Sequence, residues 1–223
     1  MYNLVVYHLR MPNAASQPRF RRPAMLDAGV AAYIPGGIDP ARRAEMGHIT
    51  AAIIMHQTRT SEDPEMVARL LNLVEDQGID TLAEIWAYAE PDTLPGALWR
   101  LYSLQQTTRN DGERVAHWYK LGLPTAQVAG AVAGVVEPPT STHLNRVIDE
   151  VLSGFFTGDL AVALERAAAY ARVLVTGIAF DADAREVDDA ALSSSMTKVA
   201  ANLQLLAAQF DESAKLWRNG ELL

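Results

Sequence analysis

Residues 159–180 read DLAVALERAAAYARVLVTGIAF. The stretch begins with Asp159, a residue type that caps helix N-termini, and continues without proline through many alanines, which are the best helix formers. This composition predicts a long helix from Asp159 to about Phe180. From there outward, the chain reads as helices separated by capping and breaking residues.

The same start, stop and periodicity signals predict eight more helices. Asp-Pro pairs mark two of the starts, and Leu121-Gly122 is interpreted as a stop. Between the long helix and the last one we expect an acidic loop from Asp181 to Asp189. The further helices are predicted over residues 41–57, 64–77, 81–90, 95–110, 113–120, 125–136, 142–156 and 188–217.

Residues 1–40 differ from the rest of the chain. Two short apolar stretches, residues 3–9 and 30–34, favour strands or extended chain, and the proline-rich residues 10–23 between them favour a loop. The predicted fold is therefore all-α, with about nine helices in one domain over residues 41–223. Residues 1–40 form an irregular N-terminal arm with up to two short strands.

Composition excludes several classes of protein. The 223 residues are 49% apolar, contain no cysteine and have a formal net charge of −8. Without cysteine there is no disulfide framework, thiolate nucleophile or Cys-ligated metal. No apolar run approaches the length of a membrane span, and the negative charge disfavours nucleic acid as a partner. The N-terminus has no basic region of a signal peptide, and its short apolar run meets Arg10 without an A-x-A cleavage site, so we expect a cytoplasmic protein.

The charge is unevenly distributed. Residues 1–40 have a net charge of +2 and residues 41–223 a net charge of −10. Four arginines of the arm, which are Arg10, Arg19, Arg21 and Arg22, are therefore candidate interaction residues. We expect the arm to dock on the acidic body of its own chain or of a second copy, and predict a homodimer. Nucleic-acid binding by these arginines alone would be weak and steeply salt-dependent.

Two segments resemble a group of known proteins. Residues 95–102 read PGALWRLY and residues 158–168 read GDLAVALERAA. Both resemble segments of uncharacterised all-helical proteins from actinobacteria, and the resemblance runs from about residue 60 to the C-terminus. It implies a helical fold. No activity is attached to that group, so the resemblance implies no site residue.

Few residues are arranged as a catalytic or metal site would need. Glu45 and His48 have the E-x-x-H spacing that di-iron bundles use, but these sites need a second copy and two more carboxylates. Glu113 and His117 also share one helix face, and a site shared by His48 and His56 would need further ligands. We therefore predict no metal site and no cofactor, and keep Glu45, His48 and His117 as weak metal candidates.

Other sequence patterns are interpreted as features of helix packing rather than as functional sites. Gly130 and Gly134 have the small-x-x-x-small spacing that lets helices approach closely. The tryptophans and most tyrosines lie at positions typical of a helical core. Residues 113–135 resemble a helix–turn–helix in outline, but the second helix has no arginine or lysine to contact phosphate.

These observations favour a protein-interaction or regulatory module over an enzyme. The alternative is an enzyme or ligand carrier with a pocket between helices. Its polar groups would be Glu45, His48, His56 or His117.

Overall fold

The computed structural model describes residues 39–55, 80–134, 140–157 and 159–223. Within these ranges the chain forms eight helices and no strand, which confirms the all-α prediction. The helices are α1 Pro40–Met55, α2 Asp80–Trp86, α3 Leu94–Asn110, α4 Gly112–Gly122, α5 Gln127–Ala133, α6 Ser141–Thr157, α7 Leu160–Arg185 and α8 Ala190–Asn219. The predicted strands and the predicted helix over residues 64–77 lie outside the described residues.

Helix α7 is the centre of the packing. Most of its side chains are buried, although Val162 and Phe180 are exposed on its outer side, and it packs against α4, α5, α6 and α8. Most of these buried side chains are small, so neighbouring helices can approach it closely. The fully buried residues include Leu160, Ala161, Leu164, Ala167, Ala168, Tyr170, Ala171, Val173 and Ile178.

Helices α4 and α7 meet backbone to backbone at two glycines. A Cβ placed on Gly177 would lie 1.7 Å from the carbonyl oxygen of Trp118, and one on Gly122 would lie 2.1 Å from that of Val173. No side chain fits at either position. We expected Gly122 to end the helix, but α4 includes this residue. Because glycine has no side chain, the backbone of α7 can approach α4 closely here.

Helices α7 and α8 form a long hairpin. Asp159 and Asp189 each cap a helix, accepting hydrogen bonds from Ala161 N at 2.8 Å and Leu192 N at 2.9 Å. Ion pairs join the two helices, between Arg172 and Asp211 and between Glu165 and Arg218. The capping prediction for Asp159 is confirmed, and the long helix is five residues longer than predicted, since it ends at Arg185 rather than near Phe180.

The predicted acidic loop is therefore wrong in its first half. Residues 181–185 continue α7, and only residues 186–189 connect it to α8. The acidic side chain of Asp181 points inward, where it accepts hydrogen bonds from Trp118 and Arg185. One partner from α4 and one from the next turn of α7 together explain how an aspartate is accommodated at a buried position in a helix.

The glycine pair of α5 does not act as predicted. Gly134 has a φ of 80°, in the left-handed region, and ends α5 as its C-cap. Gly130 is buried, and a Cβ there would lie 2.3 Å from the Leu123 side chain. The close helix approach predicted for this pair is instead made by Gly122 and Gly177.

Helices α1, α2 and α3 pack together beside this centre. Gly47, Ala51 and Ile54 are the buried residues of α1, and the indole of Trp86 donates a 3.0 Å hydrogen bond to Thr50 Oγ1. At the start of α3, Leu94 N donates a 2.9 Å hydrogen bond to the backbone oxygen of Leu223.

The aromatic residues mostly occupy the core, as predicted. Tyr119 and Tyr170 are fully buried with ring centroids 5.2 Å apart, and Trp86 and Trp118 are buried too. Tyr88, which was predicted to lie in the core, is exposed, as is Phe180, and the Tyr88 ring lies under the Arg43 guanidinium at 4.7 Å.

Candidate functional site

The E-x-x-H pair of α1 lies at the surface. Glu45 and His48 are both exposed, whereas α1 buries Gly47, Ala51 and Ile54. In the described parts of the chain, no three His, Asp or Glu side chains come together as metal ligands would. His56 and the four arm arginines, Arg10, Arg19, Arg21 and Arg22, lie outside the described residues.

The second candidate pair is Glu113 and His117, and its two side chains contact different residues. Glu113 accepts a 2.8 Å hydrogen bond from Ser141 Oγ, which links α4 to the start of α6. His117 has its Nε2 3.8 Å from Asp181 Oδ2 on α7. The two side chains therefore serve separate contacts, although they share one helix face.

Asp181 is the centre of a polar cluster between α4 and α7. Its side chain accepts hydrogen bonds from Trp118 Nε1 at 2.9 Å and from Arg185 Nε at 2.8 Å. Asp181 is only 9% exposed, whereas the side chain of His117 is 53% exposed. The cluster thus places a buried carboxylate behind a surface imidazole.

The charge of this carboxylate is stabilised by its neighbours. Burial alone would raise the pKa of Asp181, because it disfavours the charged form. The hydrogen bonds from Trp118 and Arg185, and the charges of Arg185 and His117, outweigh burial and hold the pKa of Asp181 below its usual value. Asp181 is therefore charged at neutral pH.

Chemically, the cluster acts first as a connection between helices. Each carboxylate oxygen of Asp181 already accepts a hydrogen bond, and 3.8 Å is too long for a hydrogen bond to His117. A general base of the His–Asp type would need that bond to orient its imidazole. The arrangement therefore ties Trp118 to α7 and leaves His117 at the surface.

A narrow cavity lies beside this cluster. Its volume is about 10 Å³, which is enough for one water molecule and far below the several hundred Å³ of a ligand pocket. Its lining includes Asp111 and Arg114, which are paired with each other, and Trp118, whose ring lies 5.2 Å from the Arg114 guanidinium. This cavity admits water but no substrate of ordinary size.

A second feature is the outward face of α5. Val128 is 81% exposed and Val132, one turn later, is 49% exposed; Ala131 beside them is exposed too. The opposite side of the helix, with Gly130 and Ala133, is buried. Gln127, the first residue of the helix, is also exposed, so the outward side is apolar after its first residue. Polar side chains are the rule on the outward side of a surface helix.

The segment that contains α5 has no charged side chain, since no residue from Leu121 to Gly134 is charged. Arg166 of α7 contacts the end of the helix, where its guanidinium donates a 3.3 Å hydrogen bond to Ala133 O. We name the outward side chains Val128, Ala131 and Val132 the α5 face.

Sequence reasoning missed both features. The Asp181 cluster depends on contacts between residues 63 positions apart, which no local pattern signals. The α5 face had a signal, since the stretch is apolar at positions all round a helix. Such a pattern is typical of a buried helix, and only the structure separates the buried side from the exposed one.

Comparisons of the chain with protein families, with curated proteins and with solved structures found no significant match. The function must therefore be inferred from the geometry of the chain itself. No helix among the described residues combines the length and hydrophobicity that crossing a bilayer requires.

Proposed function

We propose that this chain is a protein-interaction or regulatory module that works as a homodimer. The α5 face supports this proposal, because Val128 and Val132 expose apolar surface on a helix without charge. Burying apolar surface is the main driving force of protein association, at roughly 25 cal/mol per Å². A protein partner would remove this surface from water.

A site-specific cross-link tests whether the α5 face contacts protein. We expect a photo-reactive amino acid placed at Val128 to form an adduct in the cells that produce the protein. The matched control is the same replacement at Leu205, which is 58% exposed in the middle of α8. Adducts are measured by gel mobility and mass spectrometry.

The two positions separate specific contact from random collision. An adduct at Val128 that mass spectrometry identifies as a second copy of this chain, together with none at Leu205, supports the proposed function. Equal yields at the two positions, or none at Val128, would contradict it, because a docking surface has to react more than an unrelated exposed position.

The basic arm is the second part of the proposal. The arm has a net charge of +2 and the remainder −10, so an arm from one copy is attracted to the body of another. On the described body, Asp183, Glu186, Asp188 and Asp189 are exposed around the end of α7 and the start of α8. We propose that the arm docks on acidic surface of this kind in a second copy.

Removing residues 1–37 tests the role of the arm. We expect the truncated chain to dimerise more weakly than the full chain in dilute buffer, and the difference to shrink at high salt because salt screens charges. Sedimentation velocity at two salt concentrations measures both effects. An unchanged oligomeric state and stability in the truncated chain would refute the docking of the arm.

The alternative function, an enzyme or ligand carrier, has less support. It would use Glu45, His48, His56 or His117, and the described members of this set do not share a pocket. Glu45 and His48 are exposed on α1, which packs on α2 and α3, whereas His117 is on α4 and faces α7. The cytoplasmic location predicted from the sequence remains part of the main proposal.

A further inference from the structure

The residues that follow α8 turn back onto the body of the chain. Gly220 ends α8 with a φ of 75°, in the left-handed region. After this turn the backbone amides of Glu221 and Leu222 donate hydrogen bonds to Leu216 O at 2.8 and 3.2 Å. We name residues 220–223 the α8 extension.

An apolar contact and a backbone contact hold the α8 extension in place. The side chain of Leu222 is 4% exposed and belongs to the hydrophobic core. The backbone oxygen of Leu223 accepts a 2.9 Å hydrogen bond from Leu94 N, at the first residue of α3. Because the first amides of a helix have no acceptor within that helix, the α8 extension supplies one for Leu94.

The turn that leads into α3 is built without the α8 extension. The hydroxyl of Thr93 donates a 2.8 Å hydrogen bond to Glu90 O and accepts a 3.2 Å one from Gly96 N. Glu90 and Gly96 lie so close that a Cβ on Gly96 would be 1.8 Å from the Glu90 carbonyl oxygen. Since these contacts join residues close along the chain, the turn is a pre-formed seat for the α8 extension.

Helix α8 has contacts of its own with the same region. Ser213 Oγ donates a 3.3 Å hydrogen bond to Pro91 O, and Arg100 Nε donates a 2.9 Å one to Gln209 Oε1. Gln209 and Ser213 are one turn apart, so they lie on the same side of α8. These hydrogen bonds do not involve residues 220–223 and can persist when those residues move.

The α8 extension is exposed at most of its positions. Gly220, Glu221 and Leu223 are exposed, and nothing lies within 4 Å of a Cβ placed on Gly220. Segments with few buried contacts open at a lower free energy than the core of a protein. Glycine has access to more backbone conformations than any other residue, so Gly220 is suited to be a hinge.

We infer that residues 220–223 are a conformational latch, which opens about Gly220 and releases Leu94 at the start of α3 while α7 and α8 stay folded. The closed and open forms differ in whether Leu222 is buried and whether Leu94 N has its acceptor. The inference is independent of the proposed function, since it involves neither the α5 face nor the arm. It provides a change of state that does not require the whole chain to unfold.

Amide hydrogen exchange of the full chain, followed residue by residue by NMR, tests this inference. We expect the amide of Leu94 to exchange faster than an amide in the middle of α7, such as that of Tyr170. We also expect its rate to change little at low concentrations of urea, because local opening exposes little surface. Exchange in α7 should accelerate steeply with urea, because it requires the chain to unfold.

Leu222→Ala identifies the contact that closes the latch. This substitution removes most of the buried side chain, and we expect the exchange of Leu94 to become about tenfold faster or more. The matched control is Leu223→Ala, the same chemical change at the neighbouring residue. Its side chain is 78% exposed, and the variant keeps the backbone oxygen that accepts from Leu94. The control should exchange like the parent.

Gly220→Ala tests the hinge and leaves the core intact. There is room for a Cβ at this position, but alanine disfavours the left-handed backbone of the closed form. We expect the exchange of Leu94 to become about fivefold faster. Circular dichroism of this variant should match that of the parent.

Three results would overturn the inference. One is a Leu94 amide that exchanges at the same rate and with the same urea dependence as that of Tyr170, because the latch then opens only when the whole chain unfolds. Another is a Leu94 amide without protection, because the latch is then not closed. The third is an equal change of Leu94 exchange in Leu222→Ala and Leu223→Ala.

Discussion

Replacing Gly177 by alanine is expected to lower the free energy of unfolding by more than about 3 kcal/mol. The new Cβ would lie 1.7 Å from the carbonyl oxygen of Trp118, and this neighbour is backbone, which cannot turn aside as a side chain can. Helices α4 and α7 would have to separate, and the packing around them would loosen. Urea unfolding followed by circular dichroism measures the change.

Gly47 provides the matched control for this substitution. It is also a buried helical glycine, but a Cβ there would lie 3.8 Å from its nearest neighbours, which is ordinary van der Waals contact. Because alanine favours a helix by about 1 kcal/mol over glycine, Gly47→Ala should be neutral or stabilising. Equal losses in the two variants would show that the α4–α7 crossing is not as close as described.

The crossing at Gly177 also positions the Asp181 cluster. Residues 177 and 181 are one helical turn apart, so they lie on the same side of α7, which faces α4. The close approach at Gly177 brings Trp118 within reach of Asp181, where its indole donates a 2.9 Å hydrogen bond. The two glycines and the buried carboxylate are thus parts of one contact between helices.

The second large effect is expected at Asp181 itself. Asp181→Ala leaves the indole N–H of Trp118 buried without an acceptor and removes the counter-charge of Arg185. We expect the free energy of unfolding to fall by about 3 kcal/mol, since an unpaired buried donor and a lost charged hydrogen bond each have a cost. Urea unfolding at neutral pH, followed by tryptophan fluorescence, measures it.

Asp181→Asn separates the hydrogen bond from the charge. The amide oxygen can still accept from Trp118, so this variant should lose less stability than Asp181→Ala. Because the pKa of Asp181 is held below its unfolded value, its charge stabilises the parent above about pH 4, and this stabilisation is lost as the pH falls through the folded pKa. The difference between the parent and Asp181→Asn should therefore shrink in acid. A difference that does not change with pH would refute a stabilising charge at this position.

Local sequence signals identified the helices because local chemistry forms them. Asp159 and Asp189 cap their helices through their own neighbours, two or three residues along the chain. Boundaries were less accurate where tertiary contacts intervene. Helix α7 continues past Phe180, and Asp181 there has a partner from another helix, the indole of Trp118.

The candidate site residues show that the spacing of residues along one helix does not reveal their contacts with other helices. The E-x-x-H pattern of Glu45 and His48 places two polar groups on one helix, and these prove to be exposed. His117 has a buried carboxylate beside it, but that carboxylate comes from α7, which the spacing of α4 cannot reveal. A pattern on one helix gives the direction of a side chain, and the neighbouring helix decides what the side chain meets.

The sequence by itself determined the all-α class, the helix starts and the uneven charge, because these follow from composition and from residues close along the chain. The tertiary structure alone decided that Gly122 and Gly177 form a crossing, that Asp181 is buried under Trp118, and that Val128 faces outward. Each of these depends on which distant residues meet when the helices pack. An apolar or small residue looks the same in sequence whether a neighbour covers it or water does.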